Sequence, residues 1–212
     1  MSPRPYSMEK RQAARSETRV RILEATRRLL ANESKTDLSM EAVARGADVS
    51  RLTIYYQFSS RAGLLEALFD HLAGRGNMHR MAEVFLESDP SAALEKMVRT
   101  FVGFWASDPV ALRRLRAMSA LDAEIAKGIR SRDARRPHIA REILKRTVAK
   151  AKQPSAHLRI AADVVGMLTS FESYHALASA GQTEEEIVST LTRLAHCATG
   201  HLLGTASRRA TS

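Results

Sequence analysis

The segment Arg51-Leu-Thr-Ile-Tyr-Tyr-Gln-Phe58 brings hydroxyls, an amide, two phenols and a cation together on a short stretch of chain. Ile54 and Phe58 stand four apart, the spacing of one helical face, and would take the core side of a short helix. Arg51, Leu52, Thr53, Tyr55, Tyr56 and Gln57 are then left facing outward. Such groups are suited to phosphate oxygens and base edges, and Gln pairs bidentately with adenine in the major groove. A Tyr pair on its own reads as core aromatics; here the surrounding pattern turns both outward. Val43, Ala44 and Val49 supply small residues where two short helices would touch. Asp48 tolerates a left-handed backbone at the turn between them. Residues 39–58 therefore read as a helix-turn-helix.

Other residues invite chemistry less specifically. Met97, Phe101, Phe104 and Trp105 share one helix, Met118 and Leu121 the next, and Met167, Phe171, Tyr174 and His175 a later one. Soft Met and aromatic side chains suit an adaptable apolar pocket, with Tyr174 and His175 orienting a ligand's polar group. The same stripes are equally the pattern of plain core. Cys197 and His201 lie four apart beside His196, too few ligands for a closed zinc site. No metal or cofactor is implied. One cysteine rules out an internal disulfide framework and fits a reducing, cytoplasmic setting. Gly74-Arg75-Gly76 lacks the third glycine of a dinucleotide fingerprint, and no nucleophile elbow, metalloprotease helix or P-loop occurs. The expectation is a protein that is not an enzyme.

The chain that must position these groups has 212 residues, 44% hydrophobic and 26% charged, a globular composition. Its net charge of +10 raises the prospect of a polyanionic partner and says nothing about fold. Residues 108–152 hold 13 Lys or Arg against 5 Asp or Glu. That excess reads as a solvated helix face, as a site for an anionic ligand, or as extra DNA backbone contact. No apolar run is long enough to span a membrane.

Apolar residues recur at three and four, as in Ile22, Leu23, Leu29 and Leu30, so every element is expected to be a helix. The spacing predicts helices over about 16–31, 39–46, 51–58 and 60–74, then 91–107, 109–132, 137–152, 154–180 and 183–204. Pro90, Pro109, Pro137 and Pro154 stand where a first turn needs no N–H. Thr183 with Glu186 reads as a capping box, and Gly181 as the residue that closes the preceding helix. Residues 1–15 read as a flexible basic arm, with Lys10, Arg11, Arg15 and, just beyond it, Arg19 available to phosphates. Residues 205–212 read as a disordered tail.

Within this pattern the chain resembles the TetR family of bacterial transcriptional regulators. The resemblance rests on Ile22-Leu23-Glu24-Ala25, Val49-Ser50, Thr53-Ile54-Tyr55-Tyr56-Gln57-Phe58 and Ser60-Arg61-Ala62-Gly63-Leu64-Leu65. It covers about residues 16–76. It implies an all-α protein with a three-helix head joined to an effector-binding and dimerisation domain at 77–204. By resemblance Ser39, Tyr55, Tyr56 and Arg61 are backbone clamps, and Arg51, Leu52, Thr53 and Gln57 face the bases. The departures are Asp48 for the turn glycine, Leu52 for a glycine, Gln57 for a frequent His, and Arg61 for the phosphate-contacting Lys, whose geometry differs. Glu41 stands where the family's type member has a base-reading Arg, so that contact does not carry over.

The resemblance also implies a homodimer, its last two long helices forming a four-helix bundle with the partner's. Val164, Leu168, Ile187, Leu191, Leu194, Ala198 and Leu202 are the candidate interface, although part of each stripe must be intrachain core. The functional expectation is a repressor that binds a near-palindromic DNA operator and is released by a small-molecule effector. An effector-free structural or interaction protein on the same fold is the alternative.

Overall fold

The computed structural model of the protein describes residues 5–32, 38–148 and 155–204. Among them every regular element is a helix. The α-helices are α1 (Pro5–Ala31), α2 (Met40–Ala47), α3 (Arg51–Phe58), α4 (Arg61–Arg75), α5 (Met81–Leu86), α6 (Pro90–Ser107), α7 (Pro109–Met118), α8 (Ala123–Asp133), α9 (Arg135–Val148), α10 (Ser155–Leu168), α11 (Phe171–Ser179) and α12 (Glu184–Leu202). A 3-10 turn at Met78–Arg80 precedes α5. Neither it nor α5 was expected from the sequence.

Several boundaries differ from expectation, each for a local reason. α1 begins at Pro5 rather than near Ser16, so most of the expected arm is helix. Residues 8–15 are exposed, but Met, Glu, Lys, Arg, Gln and Ala are strong helix formers. The expected helix over 109–132 breaks between Met118 and Ala123, where Asp122 Oδ1 accepts the N–H groups of Glu124 and Ile125 at 3.0 and 3.2 Å. The expected helix over 154–180 breaks at Ser170, whose hydroxyl accepts from Ser173 N at 3.2 Å and starts α11. Hydroxyl and carboxylate side chains offer the backbone an alternative to continued helix, and apolar periodicity does not register that. α9 begins at Arg135, which places Pro137 within its first turn. Pro154, the 205–212 tail and residues 1–4 lie outside the described residues.

Contacts divide the chain into two compact units, Met1–Leu72 with Val110–Ala126, and Ala73–Pro109 with Lys127–Ser212. The sequence had placed the division near 76 and assigned 110–126 to the second domain. In the first unit α2 packs on α1 and α3 on α2. Its buried side chains include Ile22, Leu23 and Leu30, Val43 and Ala44, Ile54 and Phe58, Leu64, Leu65, Leu68 and Leu72, and Leu112 and Leu115. Thr26 is buried on the same face, its hydroxyl donating to Ile22 O at 2.8 Å. His71 Nε2 meets Glu24 Oε1 at 2.7 Å, fastening α4 to α1.

The second unit is built around α6, which contacts α5, α9, α11 and α12, and around the α9–α10 pair. α12 opens with the capping box expected of Thr183 and Glu186, and Gly181 takes φ 86° behind α11. The Thr183 N–H and hydroxyl hold the Glu186 carboxyl below its ordinary range. That cap is therefore complete above the usual carboxylate range and is lost as pH falls through the lowered value.

The α9–α10 contact depends on a residue without a side chain. A Cβ at Gly166 would meet Pro137 Cδ at 2.9 Å and Pro137 N at 3.0 Å, and neither can swing aside. Gly74 is the opposite case, since nothing lies within 4 Å of where its Cβ would stand. Overpacking costs about 1–3 kcal/mol, whereas Gly→Ala in an open helix gains about 1 kcal/mol or less. Urea denaturation of Gly166→Ala should therefore show a net loss of about 1–2 kcal/mol, and Gly74→Ala a small gain. A stabilised Gly166→Ala would show that α9 and α10 do not pack this closely.

Candidate nucleic-acid interface

Two serines and one aspartate set the geometry of the α2–α3 corner. Ser39, with extended backbone, caps α2 by accepting Ala42 N at 3.1 Å. Asp48 takes φ 52°, ψ 55°, and Val49 N donates back to Ala44 O at 3.1 Å, which stops α2. Ser50 caps α3 by accepting Thr53 N at 3.1 Å, and its hydroxyl lies 2.9 Å from Thr53 Oγ1. Two turns of helix follow, with Ile54 and Phe58 buried.

The opposite face of α3 is open. Tyr56 is 76% and Leu52 60% exposed, and Arg51 and Tyr55 are exposed as well. Both tyrosines are thus outside the core. Thr53 and Gln57 are half-buried and already engaged, Thr53 with Ser50 and Gln57 with α1. The Gln57 amide donates to Arg15 O at 3.3 Å, so the side chain expected to face a base is turned towards its own scaffold.

Two ion pairs touch the expected DNA-facing set. Arg51 Nη1 lies 2.5 Å from Glu41 Oε1, and Arg61 Nη1 lies 3.5 Å from Asp122 Oδ2. Sequence reasoning singled out neither pairing. Arg19 was expected to be available to phosphate. Instead its Nη1 donates to Gln57 O at 2.9 Å and its guanidinium lies 4.3 Å from the centre of the Phe58 ring. It therefore closes the end of α3. Periodicity carries no signal for such a bond, because it depends on how α1 lies across α3.

The aromatic group of the second unit is packed rather than hollow. Trp105 is 1% exposed, its ring centre 4.4 Å from Phe104 and 5.6 Å from Phe171, and its Nε1 donates to Thr169 O at 3.0 Å. Met97, Phe101 and Tyr174 are buried, and His175 stacks on Phe171. Burial pushes the Tyr174 phenol above its ordinary value, with Glu184 adding to the effect. Met167 is 59% exposed, outside this packing. Met118 and Leu121 belong to the other unit, where Leu121 is 94% exposed. Both line a hollow of about 310 Å³ there, together with Leu30, Leu38, Arg61, Arg114 and Ala117. The cation beside Trp105 is the buried Arg136, 6.0 Å from the ring and paired with Asp133 at 2.7 Å.

A larger hollow of about 620 Å³ lies in the second unit where the start of α6 meets the ends of α9 and α12. Leu94, Leu144 and Leu203 form apolar walls; Ser91, Arg146, Thr147 and His196 add polar groups. Among the described residues no group of three or more His, Cys, Asp and Glu could hold a metal ion. No described helix is long and apolar enough to cross a membrane.

Of the seven candidate interface residues, Leu168, Ile187 and Leu191 are buried within the chain, at 8, 1 and 2% exposure. Leu194 is 49% exposed, and Val164, Ala198 and Leu202 are half-buried. Ile160 and Met167 are exposed on α10 at the spacing of Val164.

The α1–α3 bond and the exposed ring make opposite predictions for stability. Arg19→Ala loses a charge-assisted hydrogen bond and a cation–π contact, and should cost about 1–2 kcal/mol in chemical denaturation. Tyr56→Ala removes a ring already in solvent and should change stability by less than about 0.5 kcal/mol. A large loss for Tyr56→Ala would place that ring in the core.

Residues 22–68 match a family model described as bacterial regulatory proteins, tetR family. The HTH-type transcriptional regulator AlkX of Mycobacterium tuberculosis is 32% identical over 120 residues, 56% of this chain and 54% of that protein. The chain thus spans about half the length of the curated relatives it matches. A TetR transcription regulator from Haloarcula marismortui superposes with a TM-score of 0.65 at 17% identity, over 88% of this chain and 98% of that one. The TetR-like regulator LfrR from Mycobacterium smegmatis, solved in complex with proflavine, gives 0.52 at 25% identity, over 86% and 96%. Residues 22–68 are a TetR-family helix-turn-helix head, and the described chain has the TetR fold.

Proposed function

We propose that the protein is a transcriptional repressor, acting as a homodimer on a near-palindromic DNA operator and released by a small-molecule effector. The observation that carries this reading is the open face of α3. Arg51, Leu52, Tyr55 and Tyr56 stand in solvent on a helix capped at both ends and fastened to α1. A monomeric DNA-independent protein has no use for two large aromatic-phenol side chains held out this way. In the docking mode of such heads, the second helix enters the major groove while flanking groups contact phosphates. Ser39, Tyr55, Tyr56 and Arg61 are assigned to phosphates, Arg51, Leu52, Thr53 and Gln57 to base edges. Gln57 reaches a base only by releasing Arg15 O.

The dimer is assigned to the outer faces of α10 and α12, through Ile160, Val164, Met167, Leu194, Ala198 and Leu202. Exposed apolar residues at helical spacing on two neighbouring helices support it. The effector is assigned to the 620 Å³ hollow rather than to the filled Trp105 group. Its volume lies within the range of small-molecule sites, and LfrR shows that a relative of this fold was solved with a small molecule bound. The filled aromatic core is the one observation that favours the effector-free alternative.

Selection from a random duplex library tests the DNA reading. The enriched motif should be two-fold symmetric, its half-sites one helical turn apart or a multiple of it. Arg61→Ala should weaken binding to all sequences alike and lower the slope of log affinity against log salt by about 0.9. Leu194→Glu should give monomers with the fold retained, seen by sedimentation, whereas Leu191 sits in the core and its charged variant would unfold. Absence of any duplex binding would refute the repressor, and a monomeric wild type would refute the dimer.

A further inference from the structure

Glu41 and Arg51 project from the first turns of α2 and α3, the two helices of the reading head, and their side chains meet at 2.5 Å. Both are about half exposed, at 47 and 55%, so the pair stands on the open face and not in the packing between the helices. An exposed ion pair contributes little to stability, so fold stability gives no reason for it at this position.

Its geometry suits a different task. Glu41 Oε1 engages Nη1 of the guanidinium. That leaves the Nε–Nη2 edge as the side on which Arg51 can present two parallel N–H groups. Such a fork matches the O6 and N7 acceptors of guanine in the major groove. An unrestrained Arg carries about 2 kcal/mol of side-chain rotamer entropy; a carboxylate on one edge restricts the plane of the other before DNA arrives. Arg51 also occupies the first position of the recognition helix, the end that contacts base edges when such a helix docks.

We infer that Arg51 reads a guanine in each half-site and that Glu41 is the positioning residue that aims it. The inference rests on the DNA-binding reading above and adds one base and one non-contacting residue to it. Glu41 has a second effect that follows from its charge. It lies on the face that approaches the phosphates, so it weakens binding to every sequence while sharpening preference at one base pair.

The test is selection from a random duplex library, followed by titration of the enriched duplex and its single-base variants at several salt concentrations. The proteins are wild type, R51A, R51K, E41Q and the double variant. Wild type should show a fixed guanine at one position of each half-site. R51A should lose roughly 5–100-fold discrimination at that position alone. R51K keeps the charge and loses the fork, so it should lose the guanine preference while retaining the salt dependence. E41Q should weaken the preference at the same position and raise affinity for unrelated DNA. In the R51A background, E41Q should change nothing further at that base.

Circular dichroism and melting of each variant separate loss of fold from loss of reading. A uniform loss of affinity in R51A would make Arg51 a phosphate contact and overturn the inference. An E41Q effect at a different base pair, retained in the R51A background, would make Glu41 a base reader itself and overturn it equally. Either result leaves the repressor reading standing, whereas a wild type that enriches no DNA removes both.

Discussion

An α-helix leaves its last carbonyl groups without partners inside the helix, and a chain of short helices multiplies that deficit. Here arginines from other helices meet it. Arg19 donates to Gln57 O at the end of α3, and Arg28 to Gly46 O at the end of α2. Arg114 donates to Leu30 O and Asn32 O at the end of α1. In the second unit Arg146 donates to Glu87 O behind α5, and Arg136 to Gly166 O near the end of α10. Each bond puts a cation at the negative end of a helix dipole and links two elements at once. A planar fork with several donors suits this role better than a lysine ammonium.

The head shows what these bonds make available. Asp48 sets the direction in which α3 leaves α2, and Ser50 fixes where α3 starts. α3 is too short to be stable alone, since isolated helices below about 12 residues are marginal. Its buried side holds only Ile54 and Phe58, so the far end needs a second anchorage. Arg19 supplies it through the Gln57 carbonyl and the Phe58 ring, and the Gln57 amide returns a bond to α1. With both ends held by backbone-directed bonds, the outer face is free to carry side chains chosen for something other than folding. Function and stability therefore occupy opposite sides of the same two turns.

The division between what the sequence disclosed and what it concealed follows the same line. Local chemistry was legible: Ser39, Ser50 and Thr183 as caps, Asp48 as the left-handed turn, and Ile54 against Tyr55 and Tyr56 as inner and outer faces. These depend on neighbours within four residues. The breaks at Asp122 and Ser170 are local as well, but apolar periodicity runs through them and masks the capping side chain. The Arg19, Arg114 and Arg136 bonds join residues 30 or more positions apart, so no window on the sequence contains both partners. The same holds for the Trp105 group. Met and aromatic spacing on α6 describes a cavity wall and a packed core equally well, and only the arrival of Phe171 and Thr169 from elsewhere decides for the core.

This bears on how the charge of the chain is to be understood. The excess of basic residues over 108–152 invites an anionic ligand, yet Arg114, Arg136 and Arg146 from that stretch are held on carbonyl groups, and Arg136 on Asp133 as well. A carboxylate arriving from solution would have to displace those bonds, each of which satisfies a helix end. Net charge is thus a poor guide to ligand sign here, because part of it is already committed to structure. The argument for a polyanionic partner accordingly rests on α3 rather than on composition. There the pairings of Arg51 and Arg61 are with exposed or half-exposed carboxylates, contacts that hold them weakly against phosphates and base edges.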